Sequence, residues 1–274
     1  MVDRKILIGF TLILGFMTAR HQMSAAHTEK RVELIVFAAS SLADAFQAIG
    51  RDFDTANQDI HVTYNFAGSQ QLLQQIVQGA PVDVFAPASR KQIDAAVASD
   101  QIDSSSVETF AHNRLVVIVP KKNDAGLKSL HDLARPNLKI VLADKAVPAG
   151  QYTVEFLDRF SRGRSADKQF KEDVLKNVVS YEENVRAVLS KVVIGEADAG
   201  IVYTSDISRD TAHRIDRISI PDSLNVIGDY PIALSKNAKH RDAAQRFVEY
   251  ILSANGQATL SEFGLLPAAA PAKR

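Results

Sequence analysis

The sequence predicts an α/β protein with two lobes, each built on a mostly parallel sheet flanked by helices. Apolar runs of strand length alternate with amphipathic helical patterns along the chain. Several of these runs are nearly continuous in Val, Ile and Leu, as in strands that are buried on both faces. Such alternation is typical of parallel sheets covered by helices. The 274 residues, 46% hydrophobic and 23% charged, are enough for a large core or for two lobes.

Strands are predicted where a short apolar run is bounded by turn or helix signals. These runs are 32–38, 61–67, 82–86, 114–120, 138–143 and 199–203, and a further extended stretch covers 225–235. Helices are predicted where apolar residues recur every three or four positions. Such stripes begin at Leu42, Leu72 and Val185, and two more helical stretches lie near 240–254 and 256–263.

The chain is predicted to cross between the lobes twice, near 114–120 and near 226–233. At the first place a long strand ends in a polar turn, and at the second an extended stretch leads into two helical stretches. A chain that leaves one lobe and returns to it has this pattern. Lobe 1 is therefore predicted to comprise 31–114 plus 231–274, and lobe 2 to comprise 115–230.

Two polar segments are set apart from this alternation. The charged stretch 159–177 is predicted to be a surface helix–loop insertion. The tail 267–274, rich in Ala and Pro, is predicted to be disordered.

Residues 1–26 have the pattern of a secretory signal peptide. Arg4 and Lys5 precede an apolar run of 14 residues, 6–19, and Ser24-Ala25-Ala26 supplies small residues before a cleavage point. The run is shorter than the roughly 20 apolar residues of a spanning helix, which disfavours the alternative of an uncleaved anchor. We therefore expect a soluble protein of the periplasm.

Composition and motifs disfavour several classes of function. Without its leader the chain has a net charge of −2, so no basic surplus attracts nucleic acid or anionic lipid. It has no cysteine, which excludes disulfides and makes a structural zinc site improbable. It also lacks the G-x-S-x-G, Walker A and G-x-G-x-x-G motifs. We therefore expect a protein without catalytic residues.

Two predicted strand-to-helix junctions carry small hydroxyl residues and no charge. Ser41 follows the strand 32–38, and Ser69 follows the strand 61–67. Helix N-capping explains either serine alone, and Asp44, three residues after Ser41, resembles part of a capping box. The matched pair instead favours an anion site, because helix N-termini beyond the carboxyl ends of strands offer free N–H groups. Neutral donors suit an oxyanion that arrives fully deprotonated.

Motifs spread over the mature chain closely resemble those of the molybdate-binding periplasmic proteins of ABC transporters. The resemblance runs in order from residue 32 to residue 267, nearly the whole mature chain. Its more specific pieces are GAPVDVFAPAS (79–89) and VPAGQY (147–152). The other pieces are VFAASSLADAF, FAGSQQLLQQIVQ, ENVRAVL and GIVY.

The resemblance implies a type II periplasmic-binding-protein fold that closes on molybdate or tungstate in the cleft between its lobes. It assigns the anion contacts to the hydroxyl and backbone N–H groups of Ser41 and Ser69, the backbone N–H groups of Ala149 and Val185, and the hydroxyl of Tyr203. These residues contact the oxygen atoms of the anion, and none is a direct metal ligand. The resemblance also implies delivery to an inner-membrane ABC permease. We expect a monomer with no cofactor.

Simpler explanations stay open for individual residues. Val185 is the first apolar residue of a helical stripe, so core packing alone explains it, and a tyrosine at a strand end, such as Tyr203, is commonly a half-buried aromatic. The chain also departs from the family at Gly68, where a second serine is frequent, and at Asn184, where an acidic residue is frequent. Losing an acidic group near a dianion favours binding.

Two other functions are compatible with the same fold. One is binding of a different tetrahedral oxyanion, such as sulfate or thiosulfate. The other is a ligand-sensing regulatory domain, which requires a helix-turn-helix segment, whereas residues 1–31 offer a leader instead.

Overall fold

Strands and helices alternate along the protein as the sequence predicts. The computed structural model describes residues 31–162 and 168–268, so the predicted signal peptide and most of the tail lie outside the described residues. The strands are β1 (Val32–Ala39), β2 (Ile60–Ala67), β3 (Val84–Ala86), β4 (Glu108–Pro120), β5 (Ile140–Ala143), β6 (Val178–Glu182), β7 (Ala199–Tyr203), β8 (Ile215–Ser219), β9 (Ile227–Leu234) and β10 (Leu266–Pro267). The α-helices are α1 (Ala43–Ala56), α2 (Ser69–Val77), α3 (Arg90–Ala98), α4 (Pro148–Arg162), α5 (Phe170–Lys176), α6 (Val185–Val193), α7 (Arg209–Ala212), α8 (Arg241–Leu252) and α9 (Ala254–Glu262).

The strands form one hydrogen-bonded path in the order β2-β1-β3-β9-β4-β7-β5-β6, with β8 and β10 attached to β4. β1 pairs in parallel with β2 and β3, and β5 pairs in parallel with β6 and β7. Every antiparallel pair in the described residues involves β4 or β9. The parallel parts explain the nearly continuous apolar runs, because helices cover both faces of such sheets.

Pairing along β4 changes from one part of the sheet to the other. Residues Glu108–Arg114 pair with β9, whereas Leu115–Ile118 pair with β7 and Val116–Pro120 pair with β8. The change falls between Arg114 and Leu115, where the sequence predicts a lobe boundary. The described residues form one compact unit, so the lobe boundaries themselves stay a prediction.

Aromatic side chains fill much of the core. Phe46 and Phe53 of α1 meet Phe247 of α8 edge-on, with ring centroids 6.2 and 5.3 Å apart. Phe160 of α4 stacks on Phe170 of α5 at a centroid distance of 3.9 Å. Burying each such ring contributes about 1.5–3 kcal/mol to the free energy of unfolding. These contacts hold α1 against α8 and α4 against α5.

The stretch 159–177 is less peripheral than its composition predicts. Within it, α5 buries Phe170 and Val174, so an apolar face packs on the core while the charged residues point outward. Residues 163–167 lie outside the described part of the chain. Among the residues described, no helix has the length and apolar character needed to cross a bilayer.

Candidate functional site

The five residues predicted to contact an anion come together around one small cavity. Ser41, Ser69, Ala149, Val185 and Tyr203 all line it, and the space not filled by atoms there, with the open solvent at its mouth included, is about 210 Å³. The other lining residues are Ala39, Ser40, Ala67, Gly68, Ala88, Val147 and Pro148. Residues from both predicted lobes therefore meet there, although they lie as far apart in sequence as Ser41 and Tyr203.

Ser41 lies in a 3₁₀ turn, Ser40–Leu42, between β1 and α1. Its side chain is buried, and its hydroxyl is 2.8 Å from the hydroxyl of Tyr230. No side chain caps the start of α1, so the capping explanation for Ser41 is wrong. The hydroxyl is held by a tertiary contact at the edge of the cavity.

Ser69 is the first residue of α2, and it is 2% exposed. Its Oγ accepts a hydrogen bond of 3.0 Å from the backbone N–H of Ala88. The helix is capped differently, since the Gln71 side chain accepts from the backbone N–H of Gly68. Ser69 is therefore not a capping residue, and its own hydroxyl hydrogen stays available to a ligand.

Ala149 and Val185 offer backbone donors at the starts of two helices. Ala149 is the second residue of α4, and Val185 is the first residue of α6. The N–H groups of a first helical turn have no acceptor within the helix. The predicted N-cap at Asn184 is present, because its Oδ1 accepts from the N–H of Ala187 at 3.1 Å. This cap leaves the N–H of Val185 unused.

Tyr203 closes the cavity from the carboxyl end of β7. It is 1% exposed, so the half-buried explanation is wrong, and its hydroxyl has no hydrogen-bond partner among the described residues. Burial, reinforced by the neighbouring Tyr230, raises the pKa of the Tyr203 hydroxyl well above its ordinary value, so this group stays protonated. A buried hydroxyl without a partner is costly, and an anion in the cavity provides the missing acceptor.

A guanidinium group lies near the cavity but does not line it. Arg186 follows Val185, and its Nη2 lies 2.9 Å from a carboxylate oxygen of Asp44, while its Nε lies 3.4 Å from one of Asp206. Asp206 is fully buried, and this burial raises its pKa to about 6 although Arg186 opposes the shift. Two carboxylates therefore offset the charge of Arg186. No described residue that lines the cavity is Lys, Arg or His.

Sequence reasoning missed the polar residues behind the cavity. Asn113 on β4 and Tyr230 on β9 are both fully buried and are hydrogen-bonded to each other. The detectable signal was a polar residue inside each of the two strands that connect the predicted lobes. Ser40, at 8% exposure, also lines the cavity and was not predicted as a contact.

The cavity is thus lined by neutral hydrogen-bond donors. Its polar groups are hydroxyls and N–H groups at helix starts, which suit an acceptor that carries negative charge. No group of at least three His, Cys, Asp or Glu in the described residues is arranged to hold a metal ion. The chemistry that this arrangement performs best is reversible binding of an anion.

Comparisons with known proteins agree with this geometry. Residues 34–266 match the family described as bacterial extracellular solute-binding protein. The molybdate-binding protein ModA of Mycobacterium tuberculosis (strain H37Rv) is 34% identical over 262 residues, which cover 94% of this chain and 95% of the relative.

Solved structures give the same fold. The periplasmic molybdate-binding protein of Azotobacter vinelandii has a TM-score of 0.73 at 20% identity, covering 86% of this chain and 100% of the other. The sulfate-binding protein SubI of M. tuberculosis has a TM-score of 0.77 at 15% identity, covering 87% and 88%. At these identities the likeness supports the fold alone, and it confirms the predicted two-lobed periplasmic binding fold.

Proposed function

The chain belongs to the bacterial extracellular solute-binding protein family, and from this premise we propose that it captures molybdate in the periplasm for an ABC permease. The observation that carries the proposal is the cavity in which Ser41, Ser69, Ala149, Val185 and Tyr203 meet. A relative of known name that shares 34% identity is a molybdate-binding protein. The proposed ligand is the fully deprotonated anion, held through its oxygen atoms.

The number of donors is sufficient for tight binding. A hydrogen bond to a charged group contributes about 1.5–3 kcal/mol. Five such bonds, after the costs of association and ordering, leave roughly −8 to −12 kcal/mol, which corresponds to micromolar to nanomolar dissociation constants. Burial strengthens these bonds, because the five residues predicted to contact the anion are at most 3% exposed.

The lack of a carboxylate in the lining explains discrimination against phosphate. Phosphate keeps a proton near neutral pH, and this proton needs an acceptor, whereas the residues that line the cavity include no Asp or Glu. Sulfate has the same charge as molybdate but is smaller, so the dimensions of the cavity must reject it. Tungstate is nearly the same size as molybdate, and we expect no strong discrimination between them. Sulfate or thiosulfate remains the alternative ligand, because a sulfate-binding protein has the same fold.

Contacts between the predicted lobes support closure around the anion. The Gln70 amide donates to the backbone oxygen of Glu183 at 2.8 Å, and the Gln71 amide donates to its carboxylate at 2.9 Å. The Ser205 hydroxyl donates to the backbone oxygen of Ser41 at 3.2 Å. An anion that binds donors of both lobes favours the closed form, because only that form offers all of them.

The remaining parts of the proposal follow from this role. The protein acts as a monomer, has no catalytic activity and no cofactor, and reaches the periplasm through a cleaved signal peptide at 1–26. A ligand-sensing regulatory domain of the same fold is the more distant alternative.

Isothermal titration of the mature protein with molybdate, tungstate, sulfate, thiosulfate and phosphate tests the proposal. We expect tight binding of molybdate and tungstate and much weaker binding of the other anions. Ser69→Ala is expected to weaken molybdate binding by about 1–3 kcal/mol, whereas Ser219→Ala, at an exposed serine on β8, leaves it unchanged. Sulfate or phosphate binding as tight as that of molybdate would contradict the donor-cage explanation.

A further inference from the structure

We infer that Asn113 and Tyr230 are positioning residues that make Ser41 present a hydrogen, and not a lone pair, to the bound anion. The inference rests on the proposed function and deepens it, because it explains how one hydroxyl of the cavity acts only as a donor. Neither residue lines the cavity. Both are 0% exposed and lie on the two strands that connect the predicted lobes.

The orientation of the Asn113 amide is set by a donor that cannot reverse. Its Oδ1 accepts from the backbone N–H of Arg114 at 3.0 Å and from the Thr204 hydroxyl at 3.1 Å. A backbone N–H only donates, so the oxygen of the amide must face it. The Nδ2 group therefore faces the other way, where it lies 2.7 Å from Ser205 Oγ and 3.2 Å from Tyr230 Oη.

The direction of these bonds passes from Asn113 through Tyr230 to Ser41. An amide NH₂ group only donates, so the Tyr230 hydroxyl accepts from Asn113. Tyr230 then has one hydrogen to donate, and its remaining partner among the described residues is Ser41 Oγ at 2.8 Å. If Ser41 donated instead, the hydrogen of Tyr230 would be buried without an acceptor, which is costly. Ser41 therefore accepts from Tyr230, and its own hydrogen is left for the cavity.

Ser205 completes the arrangement behind Ser41. Its Oγ accepts from Asn113 and donates to the backbone oxygen of Ser41 at 3.2 Å. The side chain and the carbonyl group of Ser41 are thus both hydrogen-bonded to hydroxyls that accept from the Asn113 amide and are therefore left to donate to Ser41. We call Asn113, Tyr230 and Ser41 the polarity relay.

Ser69 is oriented in the same way as Ser41, but by a single hydrogen bond from the backbone. Its Oγ accepts from the backbone N–H of Ala88 at 3.0 Å, and a backbone N–H cannot reverse its role. Ser41 and Ser69 therefore each have one lone pair engaged from behind by a fixed donor. The difference is that the donor to Ser69 is backbone, whereas the donor to Ser41 is a side chain that substitution removes.

The relay has a consequence for anion selection. A serine hydroxyl that is free to rotate can accept the proton of hydrogen phosphate as easily as it donates to molybdate. When Tyr230 donates to one lone pair of Ser41 from behind, the hydrogen of Ser41 turns toward the cavity, and Ser41 becomes a poorer acceptor for that proton. Rejection of protonated oxyanions is therefore assigned in part to residues that do not touch the anion.

Calorimetric titration of molybdate and of inorganic phosphate into wild type, Tyr230→Phe and Asn113→Asp tests this inference at pH 8. In Tyr230→Phe we expect molybdate affinity to fall about tenfold, while phosphate affinity stays constant or rises. In Asn113→Asp the carboxylate takes the hydrogen of Tyr230, Ser41 then donates to Tyr230, and the ratio of the two affinities falls further. Tyr152→Phe is the matched control, because its ring contacts Tyr203, whereas the side-chain hydrogen bond that Ser41 makes within the described residues goes to Tyr230.

The outcomes distinguish failure of the polarity relay from failure of the proposed function. Thermal unfolding without anion establishes that each variant is folded, and Asn113→Asp preserves side-chain shape if Tyr230→Phe does not fold. Parallel loss of molybdate and phosphate affinity, or an unchanged ratio in both variants, overturns the relay and leaves the proposed function standing. A wild-type protein that binds no molybdate overturns the function and the relay together.

Discussion

The two halves of the cavity offer the same chemistry through different parts of the chain. The half that comes from lobe 1 is predicted to use the side-chain hydroxyls of Ser41 and Ser69 in addition to their backbone N–H groups, and each hydroxyl is held from behind by another donor. The half that comes from lobe 2 uses the first turns of α4 and α6, where Ala149 and Val185 contribute backbone N–H groups. Tyr203 joins this second half with a hydroxyl that has no partner among the described residues.

This difference indicates which changes each half tolerates. In the first half a side-chain hydroxyl is added to the backbone N–H, so the identity of the residue affects the chemistry. In the second half the donor is the backbone, so the position at which a helix begins decides it, and an alanine and a valine serve equally. The four substitutions below test this contrast, from the largest expected effect to the smallest.

Gly150→Ala is expected to abolish most molybdate binding by moving the first turn of α4. A Cβ at this position would overlap the backbone oxygens of Ala143 and Asp144, which cannot move independently of the sheet. The turn must shift and carry the N–H of Ala149 with it, at a cost of more than about 2 kcal/mol in binding free energy. Calorimetry measures the loss, and Gln151→Ala on the same helix is the control. Wild-type affinity in Gly150→Ala would show that the position of this turn is not critical.

Asp206→Asn is expected to change how stability depends on pH. Burial raises the pKa of Asp206 from its ordinary value of 3.8 to about 6, while Arg186 lowers it and Asp44 raises it. The folded protein then binds this proton more tightly than the unfolded chain. The contribution to the free energy of unfolding therefore falls as pH rises from about 4 to about 6, by about 3 kcal/mol at most, and is constant above.

Urea unfolding of wild type and Asp206→Asn between pH 4 and pH 7 measures this effect. The free energy of unfolding of wild type minus that of the variant should decrease as pH rises across that window. Because Asp206 accepts the backbone N–H of Tyr203 at 2.9 Å, this carboxylate supports the second half of the cavity. A difference that does not vary with pH would mean that Asp206 does not titrate there.

Tyr203→Phe is expected to move affinity and stability in opposite directions. Molybdate binding should weaken by about 1.5–3 kcal/mol, because one donor to a charged ligand is lost. The protein without anion should be as stable as wild type or slightly more stable, because the buried hydroxyl that is removed has no partner among the described residues. Calorimetry and thermal unfolding measure the two effects. Reduced stability without anion would indicate that the hydroxyl is already paired in the protein.

Val185→Ala is expected to leave molybdate affinity within about twofold of wild type, since the N–H group is unchanged. Stability should fall by about 1–3 kcal/mol, because two buried methyl groups are lost. Val188→Ala, one turn along the same helix and also buried, is the matched control for that loss. A tenfold loss of affinity confined to Val185→Ala would mean that the side chain, and not the backbone, shapes this half.

Much of the fold was predictable because its strands are strongly apolar. The strand predicted at 199–203 matches β7, and the run 32–38 matches β1 to within one residue. β6 and β8 were not predicted, because they alternate exposed and partly buried residues and so lack the continuous apolar run of the interior strands. β4 begins six residues before its predicted start at 114, because its first part carries polar residues where it pairs with β9.

The candidate site likewise contains residues that the sequence predicts and residues that it does not. Ser41 and Ser69 were predictable because each follows an apolar strand and precedes a helical stripe, and the motif resemblance added Ala149, Val185 and Tyr203. Asn113 and Tyr230 are marked in the sequence only as polar residues within strands, and this does not identify their role, since each lies far along the chain from the serine that it orients. Their role depends on bonds such as that between Ser41 and Tyr230, which are 189 residues apart in sequence.

The sequence by itself determined the α/β alternation, the strand ends at which hydroxyls and helix starts occur, and the lack of charge in the motifs that carry them. These are local properties, because apolar periodicity and helix initiation depend on residues within a few positions of one another. Only the tertiary structure decided that Ser41 is hydrogen-bonded to Tyr230, that the Tyr203 hydroxyl has no partner among the described residues, and that two carboxylates lie beside Arg186. Hydrogen-bond direction and charge balance depend on which distant groups are buried together, and that is settled only when β4 and β9 bring the two parts of the chain into contact.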